Sequence, residues 1–139
     1  PYINATRMAK QLFTFAGGSP FQPAIAAGLR LPDSYFTALA TDLQNKRDVL
    51  MLALEECGLR PITPEGTYFI TADVRGRRAD GDGIAFCREL PGQAGIVAIP
   101  AAVLYDPRHE SEGRHLVRFA FCKELSTIAR ASEQLRAWA

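Results

Sequence analysis

The sequence predicts an α+β domain in which a small sheet packs against helices. Three observations carry that expectation. A long amphipathic helical pattern occupies residues 33–57. Short runs rich in β-branched and aromatic residues follow at 67–74, 95–100 and 115–121. Helical patterns separate those runs. A chain of 139 residues with 47% hydrophobic residues is the size of one domain and can bury an ordinary core.

Residues 1–16 read as a helix or its tail, with Ile3, Met8 and Leu12 at helical spacing, as if the chain began partway into an element. Gly17, Gly18 and Pro20 form a turn, and residues 22–29 make a short helix that tolerates Pro23 in its first turn. Pro32 and Asp33 mark the next start, with Asp33 as the candidate N-cap. Phe36, Leu39, Leu43, Leu50, Leu54 and Cys57 then draw one apolar stripe, with Gly58 as the stop and Pro61 beyond it. TYFITADV at 67–74 reads as a strand, RGRRADGDG as a basic glycine-rich loop, and Asp82 as the cap of a helix from Gly83 to about Leu90. GIVAIP at 95–100 reads as a short strand that ends at a proline, and residues 101–114 as an irregular connection. HLVRFAF at 115–121 is the next strand, and a final helix over 126–138 turns Ile128, Ala131 and Leu135 inward.

Charges nearly cancel at a net +1 with no long run of one sign, which argues against a nucleic-acid or membrane-surface footprint over the whole chain. Cys57, Cys87 and Cys122 are odd in number and widely spaced, as suits reduced cytoplasmic thiols better than a disulfide framework or a zinc site. No apolar run reaches the ~18 residues a membrane span needs.

The residue that demands an explanation is Arg118. It stands in the middle of an apolar strand, sharing a face with Leu116 and Ala120, while Val117, Phe119 and Phe121 point the other way. An unpaired buried guanidinium is prohibitively costly, so Arg118 must meet an anion or reach water. One reading is an edge strand whose arginine snorkels out or pairs with an internal Asp or Glu. The other is a clamp for a ligand carboxylate, which a planar guanidinium binds through two parallel hydrogen bonds. The pattern alone leaves both open.

Other motifs are plainer. DGDG at 80–83 lacks the further ligands of a calcium loop and reads as a turn with a helix cap. RGRR at 75–78 reads as a solvated basic loop. AGGS at 16–19 has no phosphate-binding fingerprint around it and reads as a turn. His109 and His115 lack metal-ligand or nucleophile companions. Met8, Phe13 and Phe15 read as packing residues.

The order of four pieces says more than any one of them. FTFAGGSPFQPAIA, then the long helix ending LEECGLRPITPEGTYFITADV, then GIVAIPAAVLYDP, then HLVRFAFCKELSTIARASEQLRAW resembles the C-terminal part of a class I/II aminotransferase. The subgroup it is most similar to holds the kynurenine- and methionine-type enzymes, which are fold-type I and use pyridoxal 5'-phosphate. The resemblance covers essentially the whole chain. It implies a small C-terminal domain with a short, mostly antiparallel sheet against helices at 31–139, preceded by a tail of the large domain at 1–30. It implies that Arg118, in the V-R-F strand, grips the α-carboxylate of an amino-acid substrate. It also implies that Tyr68 approaches the substrate side chain and that Phe15 lines the partner subunit's site in a homodimer.

Two departures matter. Relatives often carry a serine and an aromatic after the Ile-Pro, where this chain has Ala102 and Leu104, which bears on side-chain specificity. The family's Schiff-base lysine sits in a Ser-Lys motif upstream of the matched region, and Lys10, Lys46 and Lys123 lie in other contexts. The resemblance therefore implies a portion of an enzyme that moves an amino group between an amino acid and a 2-oxo acid. That portion would hold no cofactor firmly and catalyse nothing alone. A non-catalytic domain binding a carboxylate or a protein, and a carbon–sulfur lyase of the same fold, are the competing readings.

Overall fold

The computed structural model describes residues 2–14 and 17–139. They divide into two compact units, Pro1–Ala38 and Leu39–Ala139, with the division falling inside the longest helix.

The first unit holds α1 (Tyr2–Phe13), α2 (Phe21–Gly28) and the first turns of α3 (Asp33–Glu56). Helix α2 lies one residue from its predicted position and α1 lies within the predicted 1–16 but ends at Phe13; neither buries a residue. Met8 and Phe13, expected to pack, are exposed, because no other described side chain of the chain closes over them. Asp33 corrects a second expectation. It is the first residue of α3 rather than its cap, so its carboxylate meets the helix dipole from within the first turn.

The second unit carries the core. Helix α3 ends in a Schellman motif: Leu59 N–H donates to the Leu54 carbonyl at 3.0 Å and Gly58 N–H to Glu55 at 2.9 Å, with Gly58 at φ 82°. The chain is thereby turned into β1 (Arg60–Ile62), which had no sequence signal beyond three residues around a proline. Next come β2 (Phe69–Asp73), α4 (Gly83–Ala94), β3 (Ile99–Pro100), α5 (Glu110–Gly113), β4 (Leu116–Ala120) and α6 (Leu125–Trp138). The four strands form one fully antiparallel sheet in the order β1-β2-β4-β3. Both prolines in strands, Pro61 and Pro100, stand on its edges, where a missing N–H costs no ladder bond.

Several predicted limits move for identifiable reasons. The β2 strand starts at Phe69 because Thr67 adopts φ 64°, outside strand geometry. The run 95–100 keeps only two strand residues, since Gly95 at φ 68° is spent ending α4. Helix α4 itself continues past Leu90 and carries Pro91 inside it, near its end. The predicted irregular connection contains a 3₁₀ turn at Ala101–Leu104 as well as α5.

One face of the sheet builds the core. Ile70 and Ala72 of β2 and Val117 and Phe119 of β4 are buried against Leu50 and Leu54 of α3, Phe86 and Leu90 of α4, and Ile128 and Leu135 of α6. The α3 stripe is buried only in its second half: Leu50, Ala53 and Leu54 are buried, while Phe36 and Leu39 are exposed. On α6 it is Ser132, rather than the half-buried Ala131, that is fully covered beside Ile128 and Leu135.

The DGDG turn fastens α4 to β4. Asp82 accepts from Ala85 N–H at 2.9 Å as the predicted cap. Gly83 N–H donates to the Arg114 carbonyl at 2.9 Å, and a Cβ at Gly83 would stand 2.7 Å from that oxygen, so only glycine allows the approach. The RGRR loop is more than solvated. Arg75 binds Asp73 through both carboxylate oxygens, and Arg78 reaches Asp80 and Glu89. Arg77 lies over the Trp138 ring and donates to its carbonyl, tying the end of α6 to the loop.

Two outcomes test this architecture. Leu54 is fully buried, so Leu54→Ala should cost about 2–5 kcal/mol in urea unfolding; a loss under about 1 kcal/mol would contradict the core assignment. The second concerns pH. The Arg75 guanidinium, through its side-chain hydrogen bonds, holds the Asp73 carboxyl below its ordinary range against the opposing effect of desolvation. A depressed folded pKa means stability that is full above the unfolded carboxyl pKa and lost as pH falls through the folded one. Arg75→Ala should therefore lower the urea midpoint at about pH 7, and the difference from the parent should shrink below about pH 4. An unchanged difference at both pH values would show that the pair carries no linkage.

Candidate functional site

Sheet order decides the environment of Arg118. Strand β4 lies between β2 and β3, so the edge-strand reading of its arginine is wrong. Arg118 sits directly across from Thr71 on β2 and from Ile99 on β3. The side chain belongs to the face opposite the core, together with Phe69, Thr71, Leu116 and Ala120. Those five residues are all half-buried.

The guanidinium has no hydrogen bond or ion pair with any described residue. It stacks instead on Phe69: the Arg118 Cζ lies over that ring, 4.0 Å from the centroid. Phe69 is diagonal to Arg118 across the β2–β4 ladder, since it pairs with Ala120. The opposite diagonal holds Asp73, the nearest carboxylate by register, which pairs with Leu116. Asp73 is only 9% exposed and is committed to Arg75, at 2.7 Å from Nη2. The result is a cation supported by an aromatic face, with no acceptor for its N–H fork among the described residues.

A ring quadrupole attracts a cation without neutralising it, worth about 0.5–2 kcal/mol depending on exposure. An acidic side chain in the same place would have consumed the charge. The arrangement therefore suits an external planar anion, above all a carboxylate, that can take two parallel N–H···O bonds.

The other predicted site residues fall as follows. Tyr68 is 46% exposed and its ring packs on Phe69 at 4.5 Å between centroids, so it joins Arg118 through that ring. Its carbonyl accepts from Phe121 N–H at 2.9 Å, which extends the β2–β4 ladder by one rung. Phe15 lies outside the described residues. Ala102 is buried, whereas Leu104 is exposed. His109 is an exposed partner of Glu112 at 2.8 Å. Phe69 was missed as a site residue; its only signal is the alternation in TYFITADV, and it becomes meaningful once the register with β4 is known.

Arg118 lines neither of two clefts in this unit. A cleft of about 300 Å³ between α3 and residues 64–67, which also touches Arg47 and Phe121, is elsewhere. A second, of about 210 Å³, opens beside α6 near Ile96, Lys123 and Gln134. Burial pushes the Cys87 thiol up to about 11, which keeps it protonated and unreactive. No helix among the described residues is long and apolar enough to cross a membrane.

Comparison with known proteins places this geometry in a family. The family model described as aminotransferase class I and II matches residues 1–132. The probable N-succinyldiaminopimelate aminotransferase DapC of Mycobacterium tuberculosis is 39% identical over 139 residues, covering 96% of this chain and 35% of the relative. The kynurenine–oxoglutarate transaminase of Dictyostelium discoideum is 34% identical over 150 residues, covering 96% and 34%. The solved N-succinyldiaminopimelate aminotransferase of M. tuberculosis superposes with a TM-score of 0.81 at 40% identity, over 99% of this chain and 35% of that one. The chain thus spans about a third of the length of the curated relatives it matches. On the match of sequence and of fold together, this chain belongs to the class I and II aminotransferase family.

Proposed function

We propose that this chain is the C-terminal portion of an aminotransferase that moves an amino group between an amino acid and a 2-oxo acid, and that Arg118 binds the carboxylate common to both. One observation carries the proposal: a half-buried guanidinium on an interior strand whose fork has no acceptor among the described residues, while the neighbouring carboxylate is held by another arginine. Family membership supports it, because every substrate of such an exchange presents a carboxylate beside the reacting carbon.

In this proposal residues 1–30 belong to a large domain, residues 31–139 form the small domain, and the intact enzyme is a homodimer in which Phe15 faces the partner's site. The described residues do not themselves fit pyridoxal 5'-phosphate. Lys46 is engaged by Asp42 at 2.7 Å, Lys10 lies on α1, and Lys123 lines the cleft beside α6. None of the three is paired in register with the strands around Arg118. The cofactor, which supplies the electron sink for amino-group exchange, would be held by residues beyond this chain.

What this chain contributes is orientation. Two hydrogen bonds from a rigid fork fix both the position and the tilt of the carboxylate, and so the direction of the adjacent Cα–H bond. Mounting the fork on an interior strand limits its wobble, and proximity and orientation together can supply roughly 7–11 kcal/mol of an enzymatic barrier, of which this clamp provides a part. Tyr68, next to Phe69, borders the space where a substrate side chain would extend.

Full-length protein carrying Arg118→Ala or Arg118→Lys should lose roughly 30- to 1,000-fold in kcat/KM for amino-acid substrates. Cofactor absorbance should be retained in both. Lysine fails because a point ammonium cannot reproduce the planar fork. Kinetics equal to the parent's for either variant would refute the carboxylate role.

A further inference from the structure

We propose that Phe69 is a positioning residue: its ring is the shelf on which the Arg118 guanidinium is held ready for the incoming carboxylate. The inference rests on the reading of Arg118 given above and extends it to the residue beneath the arginine. The geometry that carries it is the 4.0 Å approach of Arg118 Cζ to the Phe69 centroid, across a diagonal of the antiparallel ladder.

Among the residues paired with or diagonal to Arg118, Phe69 supplies the ring face on which the guanidinium rests. Thr71 and Ile99, directly opposite on either side, carry no charge. Asp73, on the other diagonal, is bound by Arg75 through Nε and Nη2. A long arginine side chain with no anion would otherwise sample many rotamers, and binding a ligand would have to freeze them. Attraction to the ring face removes part of that freedom in advance and leaves the N–H edge uncovered.

Phe69 is itself braced. The Tyr68 ring packs on it at 4.5 Å with a 43° tilt, and the Tyr68 carbonyl is fixed by Phe121 N–H just past the end of β4. Upstream, Thr67 is held at φ 64°, a region that a β-branched residue rarely adopts. That kink sets the start of β2, and with it the alternation that puts Phe69 rather than Tyr68 on the Arg118 face. Strain of this kind persists only where the surroundings over-determine it. Tyr68, Phe69 and Arg118 thus form one continuous stack.

The test uses the full-length holoprotein with Phe69→Leu, Phe69→Tyr, a pentafluorophenylalanine replacement at position 69, and Arg118→Gln as reference. Straight-chain carboxylates from acetate to hexanoate serve as unreactive inhibitors, with the matching primary carboxamides as controls. Phe69→Leu should weaken carboxylate binding and raise the amino-acid KM by about 3- to 10-fold, with little change in carboxamide binding. Phe69→Tyr keeps a ring face and should stay near the parent. The fluorinated ring keeps the shape but reverses the quadrupole, so it should weaken carboxylates as Leu does; it decides the matter if the Leu variant does not fold. Carboxylate affinity at the parent's level in the fluorinated variant, or equal weakening of carboxylates and carboxamides, would overturn the inference. If Arg118→Gln weakens carboxylates and the Phe69 variants do not, the shelf alone is wrong. If Arg118→Gln changes nothing either, the reading of Arg118 falls with it.

Discussion

An un-neutralised cation on an interior strand organises this molecule. A guanidinium half removed from water needs an acceptor or a polarizable support, and no described residue supplies the acceptor. The sheet order puts β4 where it cannot shed the charge over an edge. The ladder register puts uncharged residues directly across from it, an aromatic on one diagonal and a carboxylate on the other. The carboxylate is then taken by a different arginine, supplied by the loop that follows β2. Each of these placements is ordinary by itself. Together they leave one cation stacked, oriented and available.

The rest of the unit reads as the means of holding that face steady. The Schellman end of α3 feeds the edge strand β1, and the close approach of Gly83 to the Arg114 carbonyl pins α4 beside the entry to β4. Arg77 and Trp138 fasten the final helix to the same loop that supplies Arg75. Core packing on the opposite face of β2 and β4 makes the two strands rigid, and a clamp on a rigid strand loses little on binding.

Much of this is legible in the sequence. The periodicity of α3, the Asp82 cap, the alternation of HLVRFAF and the anomaly of Arg118 are local properties, and local properties survive folding. Non-local properties were not readable. Nothing in RPI announces a strand, because three residues around a proline acquire that geometry only from pairing with β2. The length of α4 was not readable because a proline normally stops a helix, yet α4 runs through Pro91 to Ala94 although Pro91 has no N–H for the Cys87 carbonyl. Whether Arg118 faced an edge or an interior depended on strand order, which one chain's pattern does not encode. Phe69 was invisible as a site residue for the same reason: its relation to Arg118 is a diagonal across two strands nearly fifty positions apart in sequence. The exposed apolar positions of α1 and of early α3 show the same principle in reverse, since a stripe predicts a buried face without saying what buries it.

The most direct test is a crystal structure of the full-length protein with an amino-acid-like carboxylate bound. The account predicts both carboxylate oxygens within about 3 Å of the Arg118 guanidinium nitrogens, with the Phe69 ring still beneath. A carboxylate seated elsewhere while Arg118 is paired to a side chain of the protein would contradict it.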